Sequence, residues 1–158
     1  MIQGSNRSGE EAQLTLSGTS SIIAPTEVAD VMIGKVVTLS RHHSFNEAAN
    51  LMNDRYFRHC VVVDAQGHIV GVISDRDILR ALARNPNARS KSVEQIMTQN
   101  PVTVRRNTPI ADAVGKIVSK RINCLPVVEE NGTVCGIVTS TDLLKSYQQL
   151  LEMMHKAR

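Results

Sequence analysis

Aromatic residues are scarce in this chain of 158 residues, which contains no tryptophan, two phenylalanines and two tyrosines. We therefore expect a core of aliphatic side chains. The scarcity also argues against an aromatic platform on which the bases of single-stranded nucleic acid would stack. The net charge of +3 is small, and basic residues are interspersed with acidic ones instead of forming a basic footprint for DNA.

Cysteines and long apolar runs are also few. Cys60, Cys124 and Cys135 are odd in number and lack the CxxC spacing of a zinc site, so they favour reduced thiols in a cytoplasmic protein over a disulfide framework. No apolar run approaches the ~20 residues of a membrane span, and the first residues lack a signal-peptide pattern. His42 and His43 have no nearby carboxylate or cysteine to complete a metal site, so we predict no metal centre.

The chain contains an internal repeat. Residues 71–78 read Gly-Val-Ile-Ser-Asp-Arg-Asp-Ile, and residues 136–143 read Gly-Ile-Val-Thr-Ser-Thr-Asp-Leu. Each copy has a glycine, two β-branched apolar residues, a hydroxyl residue and an aspartate three positions after that hydroxyl. The flanking apolar pattern repeats at the same offset of 65 residues without a gap. Such self-similarity indicates a duplicated structural unit.

Each unit predicts a strand, a helix, a β-hairpin and a second helix, preceded by a short helix. In the first unit the signals are a strand over 36–39, a helix opened by the capping box Ser44-x-x-Glu47, and a hairpin turn at Gly67. The second unit has a strand over 102–104, Thr108 as the N-cap of a helix, and a turn at Gly132. Neither unit is large enough to bury a core alone. We expect an α+β fold of two β-α-β-β-α repeats packed about a pseudo-twofold axis, with the sheets forming a shared core.

The domain boundaries follow from composition. We predict a flexible N-terminal arm over 1–25, the first repeat over 26–85, a linker over 86–91, the second repeat over 92–147 and a helical extension over 148–158. The final helix, expected over 140–156, carries an apolar stripe longer than its own repeat needs. That surplus predicts contact with another surface, either the N-terminal arm or a second subunit.

The repeat resembles a tandem pair of cystathionine β-synthase (CBS) domains. The resemblance rests on the motif of glycine, two apolar residues, hydroxyl, two variable residues and aspartate in both units. It rests further on the segments Asn-Cys-Leu-Pro-Val-Val-Glu at 123–129 and Asn-Pro-Val-Thr-Val at 100–104. It covers residues 28–147. The first unit departs from the pattern, since Cys60-Val61 stands where Leu-Pro is expected.

The resemblance implies a regulatory module that binds an adenine-containing ligand, such as AMP, ADP, ATP, NAD or S-adenosylmethionine, between its repeats. Carried over residue by residue, it implies two clefts, each with a hydroxyl–Asp motif from one repeat and loops from the other. The first would be formed by Ser74, Arg76 and Asp77 with Thr108, Ile122, Asn123, Cys124 and Pro126. The second would be formed by Thr139, Thr141 and Asp142 with His43, Phe57, His59 and Val61.

The chemistry of these residues suits such a ligand. A carboxylate can accept hydrogen bonds from both ribose hydroxyls, which is the role expected of Asp77 and Asp142. The neighbouring hydroxyl and the helix N-terminus offer donors to a phosphate. Arg76 adds a bidentate phosphate donor that Thr141 cannot match, so we predict that phosphorylated ligands favour the first cleft. The motifs are equally suited to helix capping alone, and the two roles are compatible. Further candidates for phosphate contact are His42, Arg58, Lys120 and Arg121.

These observations predict a cytoplasmic sensor of adenine nucleotides and not an enzyme, because no Ser–His–Asp pattern, Walker loop or GxGxxG motif is present. With no further domain in 158 residues, a stand-alone pair would act through a protein partner or through its own homodimer. Two alternatives remain open. One is a ligand-free structural or dimerisation module, which the altered Cys60-Val61 segment favours. The other is a nucleic-acid-binding regulator, which the charge pattern disfavours.

Overall fold

A computed structural model describes residues 24–156. The predicted arm over 1–25 therefore lies outside the described residues except for its last two. The first repeat contains a short 3₁₀ helix (Val28–Asp30) and then β1 (Thr38–Ser40), α1 (Phe45–Arg55), β2 (His59–Val63), β3 (Ile69–Ser74) and α2 (Asp75–Arg84).

The second repeat has the same order of elements. A 3₁₀ helix (Val93–Gln95) is followed by β4 (Thr98–Gln99), α3 (Ile110–Lys120), β5 (Cys124–Val128), β6 (Val134–Thr139) and α4 (Ser140–Lys156). Apart from β1 and β4, which do not correspond, each element starts 65 positions after its equivalent in the first repeat. The predicted duplication and the α+β class are confirmed.

The helix starts follow the sequence signals with one exception. The Ser44–Glu47 capping box is formed, with the Ser44 hydroxyl accepting from the Glu47 N–H at 3.2 Å. The prediction of Thr108 as the N-cap of α3 is wrong by one residue, because the N-cap is Pro109. The Thr108 hydroxyl instead accepts a hydrogen bond from the Arg105 N–H at 2.9 Å and closes the preceding turn.

The two sheets exchange edge strands. The first sheet has the order β1-β2-β3-β4, with β1 parallel to β2 and the others antiparallel, so its last strand comes from the second repeat. Reciprocally, Ile33 of the first repeat pairs with Ile137 of β6. The strand expected over 102–104 is reduced to a single parallel bridge between Val104 and Val127, on the other side of β5. In the first repeat, β1 starts at Thr38 and not at residue 36 as predicted.

The isolated β-bridges between the two repeats define the pseudo-twofold axis. His68 pairs with Thr133, its own equivalent 65 positions later, so the axis passes between these two residues. Away from the axis, Ser44 pairs with Ser92 and Glu27 pairs with Pro109, two bridges that a twofold rotation would interchange. The predicted pseudo-twofold arrangement is therefore confirmed.

The core is aliphatic, as expected. One cluster lies beneath each sheet, and a third forms between the sheets from Val61, Val72, Cys124 and Ile137, two residues from each repeat. Phe45 is the one aromatic side chain that is buried within residues 24–156. The central cluster is the shared core that neither repeat can form alone.

The segment over 86–91, predicted as a linker, is partly structured. It contains a 3₁₀ helix (Ala88–Ser90) that contacts both α1 and α2. Ala88 is fully buried there, whereas Asn87 and Arg89 on either side are exposed. The segment therefore covers the outer side of the first repeat's helix pair as well as connecting the repeats.

Gly71 illustrates how closely the exchanged segments pack. A Cβ at this position would contact the Met97 side chain and lie 3.0 Å from the Thr98 carbonyl oxygen. We expect Gly71→Ala to lower the free energy of unfolding by about 1–3 kcal/mol, because the backbone of β4 must shift. Urea unfolding measures the change.

Gly115→Ala is the matched control. Gly115 lies on α3, where an added Cβ meets nothing within 4 Å, so this variant should gain about 0.5–1 kcal/mol from helix propensity. Equal effects of the two substitutions would contradict the close packing of β4 against β3.

Candidate functional site: a cleft between the two repeats

A cavity of about 750 Å³ lies between the two repeats. The same positions of both repeats line it, so it straddles the pseudo-twofold axis and is one continuous space where the sequence predicted two clefts. The equivalent pairs in its wall include Phe57 with Ile122, Arg58 with Asn123, His59 with Cys124, Val72 with Ile137, Ser74 with Thr139, Arg76 with Thr141 and Asp77 with Asp142.

The first half of the cleft contains the N-terminus of α2. The Asp77 carboxylate accepts hydrogen bonds through Oδ2 from the Ser74 N–H at 2.8 Å and from the Ser74 hydroxyl at 2.7 Å. The Ser74 hydroxyl in turn accepts from the Asp77 N–H at 3.3 Å. This reciprocal capping box satisfies backbone donors of the first turn and fixes the carboxylate toward the cavity. Arg80 Nη1 reaches the other oxygen, Asp77 Oδ1, at 3.1 Å.

The second half repeats this arrangement at α4. Asp142 Oδ2 accepts from the Thr139 N–H at 2.9 Å and from the Thr139 hydroxyl at 2.6 Å. Within residues 24–156, however, no protein group lies at hydrogen-bond distance from Asp142 Oδ1. One carboxylate oxygen thus serves the cap and the other is available, so the capping role and a ligand role coexist.

The arginines of the cleft are unequally distributed. Arg58, Arg76 and Arg80 lie in the first half and Arg121 lies in the second, while Lys35 adds a further positive charge to the wall. Arg58 pairs with Asp75 at 3.0 Å and Arg80 pairs with Asp77. Arg76 forms no ion pair with any other residue of the described chain. The first half therefore retains one unneutralised guanidinium at the N-terminus of a helix, where an anion is most readily bound.

Most residues of the sequence-based site lie in the wall of this cavity. These are Phe57, His59, Ser74, Arg76, Asp77, Ile122, Asn123, Cys124, Thr139, Thr141 and Asp142. Four do not line it. Val61 and Pro126 are buried in the shared core, and Thr108 is held in its turn. His43 is likewise held in a turn, where its Nδ1 accepts from the Ser40 N–H at 2.8 Å.

Sequence reasoning missed several residues of the wall, among them Tyr56, Asp75, Arg80 and Ser140. The two segments that cross between the sheets contribute Lys35, Val36 and Val37 from the first repeat and Asn100, Pro101 and Val102 from the second. Their equivalence at an offset of 65 was a detectable signal. Their position in the cleft depends on the strand exchange, which no local pattern announces.

Burial controls the chemistry of Cys124 and His59 in the cleft and of Cys60 in the core of the first repeat. It raises the pKa of the Cys124 thiol to about 12, with the charge of Asp77 adding to the effect, and it raises the pKa of Cys60 to about 11. Both thiols are therefore protonated and unreactive at neutral pH. Burial also lowers the pKa of His59, an effect that the nearby Asp75 carboxylate partly opposes.

The part of the chain that the structure describes offers no cluster of three His, Cys, Asp or Glu side chains suited to a metal ion. None of its helices is long and apolar enough to cross a membrane.

The protein-family model of the CBS domain matches residues 28–84 and, a second time, residues 93–149. The chain belongs to the CBS domain family. The two matched stretches coincide with the two repeats of the fold, so the cleft lies between two CBS domains.

Relatives and solved structures place this CBS pair among others. The homoserine O-acetyltransferase of Methanohalobium evestigatum is 33% identical over 130 residues, which is 82% of this chain and 26% of that protein. The chain thus spans about a quarter of the length of the curated relatives it matches first. The crystal structure of the CBS domain pair of protein MJ0100, in complex with 5′-methylthioadenosine and S-adenosyl-L-methionine, is 33% identical. It has a TM-score of 0.74 and covers 78% of this chain and 97% of its own.

A further solved structure is that of CBSX2 in complex with AMP. It is 26% identical, has a TM-score of 0.72 and covers 80% of this chain and 98% of its own. The similarity to each of these three proteins extends over most of this chain and includes both CBS domains.

We predict that His59 makes the stability of the CBS pair depend on pH, because burial lowers its pKa. Because its folded pKa is below the unfolded value of about 6.5, its contribution is complete above pH ~6.5 and is lost as pH falls through the folded pKa. We expect His59→Gln to lose less stability than the parent protein between pH 8 and pH 5. Urea midpoints across this range test the difference. The exposed His42 provides the control, since His42→Gln should retain the parental slope; identical slopes for all three proteins would contradict the assignment.

Proposed function

We propose that this protein is a regulatory module that binds an adenine nucleotide in the cleft between its two CBS domains. The observation that carries the proposal is the single cavity into which both hydroxyl–Asp motifs are directed, at the N-termini of α2 and α4. A ligand bound across the pseudo-twofold axis would contact both repeats. It could then bias their relative orientation, which is the element a regulatory module needs.

The ribose site follows from the two carboxylates. Asp142 Oδ1 has no partner in the described chain and is the more available acceptor for the 2′- and 3′-hydroxyls. Asp77 Oδ1 is already engaged by Arg80, so a ribose there must displace an ion pair in which the Asp77 side chain is only 11% exposed. We propose both carboxylates as ribose acceptors. Binding at Asp142 requires less rearrangement of neighbouring side chains than binding at Asp77.

The phosphate and adenine sites follow from the remaining wall. Arg76 and the first turn of α2 supply donors for a phosphate. Phe57, Ile122 and the central pair Val72 and Ile137 supply apolar surface for a base. Similarity supports the same ligand class, because the CBS pair of MJ0100 was crystallised with two adenosine derivatives and CBSX2 with AMP.

The ligand-free alternative loses its main support. Cys60 and Val61, which replace the expected Leu-Pro, are 1% and 0% exposed and do not line the cavity. Their departure from the family pattern therefore does not alter the wall of the cleft. The activities of the larger relatives are not part of the proposal, because the similarity covers only about a quarter of those proteins.

We further propose that the ligand signal is transmitted through a homodimer or a separate protein partner. Leu79 and Leu82 on α2 and Leu151, Met153 and Met154 on α4 are large apolar side chains that are 37–64% exposed. Such side chains on two helices form an exposed apolar surface that is suited to contact with a second protein.

Thermal unfolding with AMP, ATP, NAD and S-adenosylmethionine tests the ligand class. A ligand at 100 times its Kd stabilises the fold by about 2.7 kcal/mol, which is a rise in Tm of roughly 5–10 °C for a chain of this size. Asp142→Asn should abolish most of this rise because it weakens the ribose acceptor, whereas Asp112→Asn, outside the cavity, should keep it. No rise with any of the four would support the ligand-free module, and a salt-sensitive gel shift in its place would support nucleic-acid binding.

Comparing AMP with adenosine tests the role of Arg76. Removal of a charge-assisted phosphate contact costs about 1.5–3 kcal/mol, so Arg76→Ala should reduce the preference for AMP over adenosine by about 10-fold or more. Isothermal titration gives both affinities. Arg84→Ala, at the other end of the same helix and outside the cavity, should leave the preference unchanged. An unaltered preference in Arg76→Ala would exclude Arg76 as the phosphate donor.

A further inference from the structure

An apolar groove of about 460 Å³ runs between α3 and α4 on the side of the second repeat away from the core. Its wall includes Ile110, Val114 and Ile117 from α3 and Leu143 and Tyr147 from α4. Pro25, at the start of the described chain, lies at its edge. The chain therefore enters the structure at this groove.

The equivalent site of the first repeat is covered by the chain itself. Between α1 and α2 lies the 3₁₀ helix Ala88–Ser90, and its Ala88 is 0% exposed. Asn87, immediately before it, is exposed. The segment that precedes the second repeat thus inserts one apolar side chain between the two helices of the first.

Pseudo-symmetry places the N-terminal segment at the matching position of the second repeat. The Phe45 N–H donates to the Lys91 carbonyl at 2.9 Å, and the equivalent Ile110 N–H donates to the Thr26 carbonyl at the same distance. Thr26 therefore occupies the place of Lys91, 65 positions earlier. Counting back three residues from each, Ile23 corresponds to the buried Ala88, and Ile22 corresponds to the exposed Asn87.

We infer that the chain's own N-terminal segment docks in the α3–α4 groove, with Ile23 as the side chain inserted between the helices. The chemistry agrees, because an isoleucine needs an apolar site and the groove is lined mostly by aliphatic residues. The distance along the chain also fits this docking, because only Ala24 separates Ile23 from Pro25 at the groove edge.

The docking site adjoins the ligand cleft. Ser140, the first residue of α4, lines both the groove and the cleft, and Leu143, in the groove wall, follows Asp142 directly. A docked Ile23 therefore packs behind the turn that carries Asp142 and supports it. This role does not depend on which ligand the cleft binds.

Two adjacent substitutions in the full chain test the inference. Ile23→Asp places a charge in the groove and should lower Tm by about 5 °C or more, whereas Ile22→Asp, at the position equivalent to an exposed residue, should change it by less than about 2 °C. Hydrogen exchange should accelerate in α3 and α4 of Ile23→Asp but not in α1 and α2. If Ile23→Asp does not fold, the milder Ile23→Ala should give the same order of effects.

A double-substitution cycle identifies the contact. The Tm losses of Ile23→Ala and Val114→Ala should be non-additive, because they remove two sides of one contact, while Ile22→Ala and Val114→Ala should add. These differences should not vary with protein concentration, since the contact lies within one chain. The inference is overturned if substitutions at positions 22 and 23 have equal effects, or if the Tm losses of Ile23→Ala and Val114→Ala are additive. A coupling that grows with protein concentration would also overturn it and would indicate a second copy of the chain in the groove.

Discussion

The exchange of edge strands between the two sheets is the constraint on which the rest of the molecule depends. β4 of the second repeat completes the first sheet, and Ile33 of the first repeat pairs with the second sheet. Close approach of these segments requires glycine at positions 71 and 136, where any side chain would meet backbone within 3.0–3.2 Å. Because each crossing segment continues along the cavity, the contact that joins the repeats also builds part of the cleft wall.

The hydroxyl–Asp motif of each repeat is an ordinary helix cap that lies in the wall of the cavity. A serine or threonine followed three residues later by an acidic residue satisfies the first turn of many helices. Here the two caps face each other across a pseudo-twofold axis, so both carboxylates lie in one cavity. The duplication has since diverged: Arg76 and Arg80 add positive charge to the first half, and Arg80 occupies one oxygen of Asp77, while Asp142 in the second half keeps one free oxygen within the described chain.

Local patterns predicted what depends on neighbouring residues. The capping boxes, the hairpin turns at Gly67 and Gly132 and the apolar helix faces were all readable from the sequence. Most of the site residues carried over from the family resemblance line the cavity. Two predictions were wrong for different reasons. The Thr108 hydroxyl closes a local turn with the Arg105 N–H and does not cap the helix. Residues 102–104 form one bridge to β5 and not a strand, and that outcome depends on a distant segment.

The sequence by itself determined the repeat, its offset of 65 residues and the aliphatic core, since each of these is a property of composition or of spacing along the chain. Only the tertiary structure decided that the two expected clefts are one cavity and that the crossing segments line it. It also decided that Val61 and Pro126 belong to the core. The reason is physical: a side chain's neighbours across a pseudo-twofold axis are set by sheet packing, which acts between residues far apart in sequence.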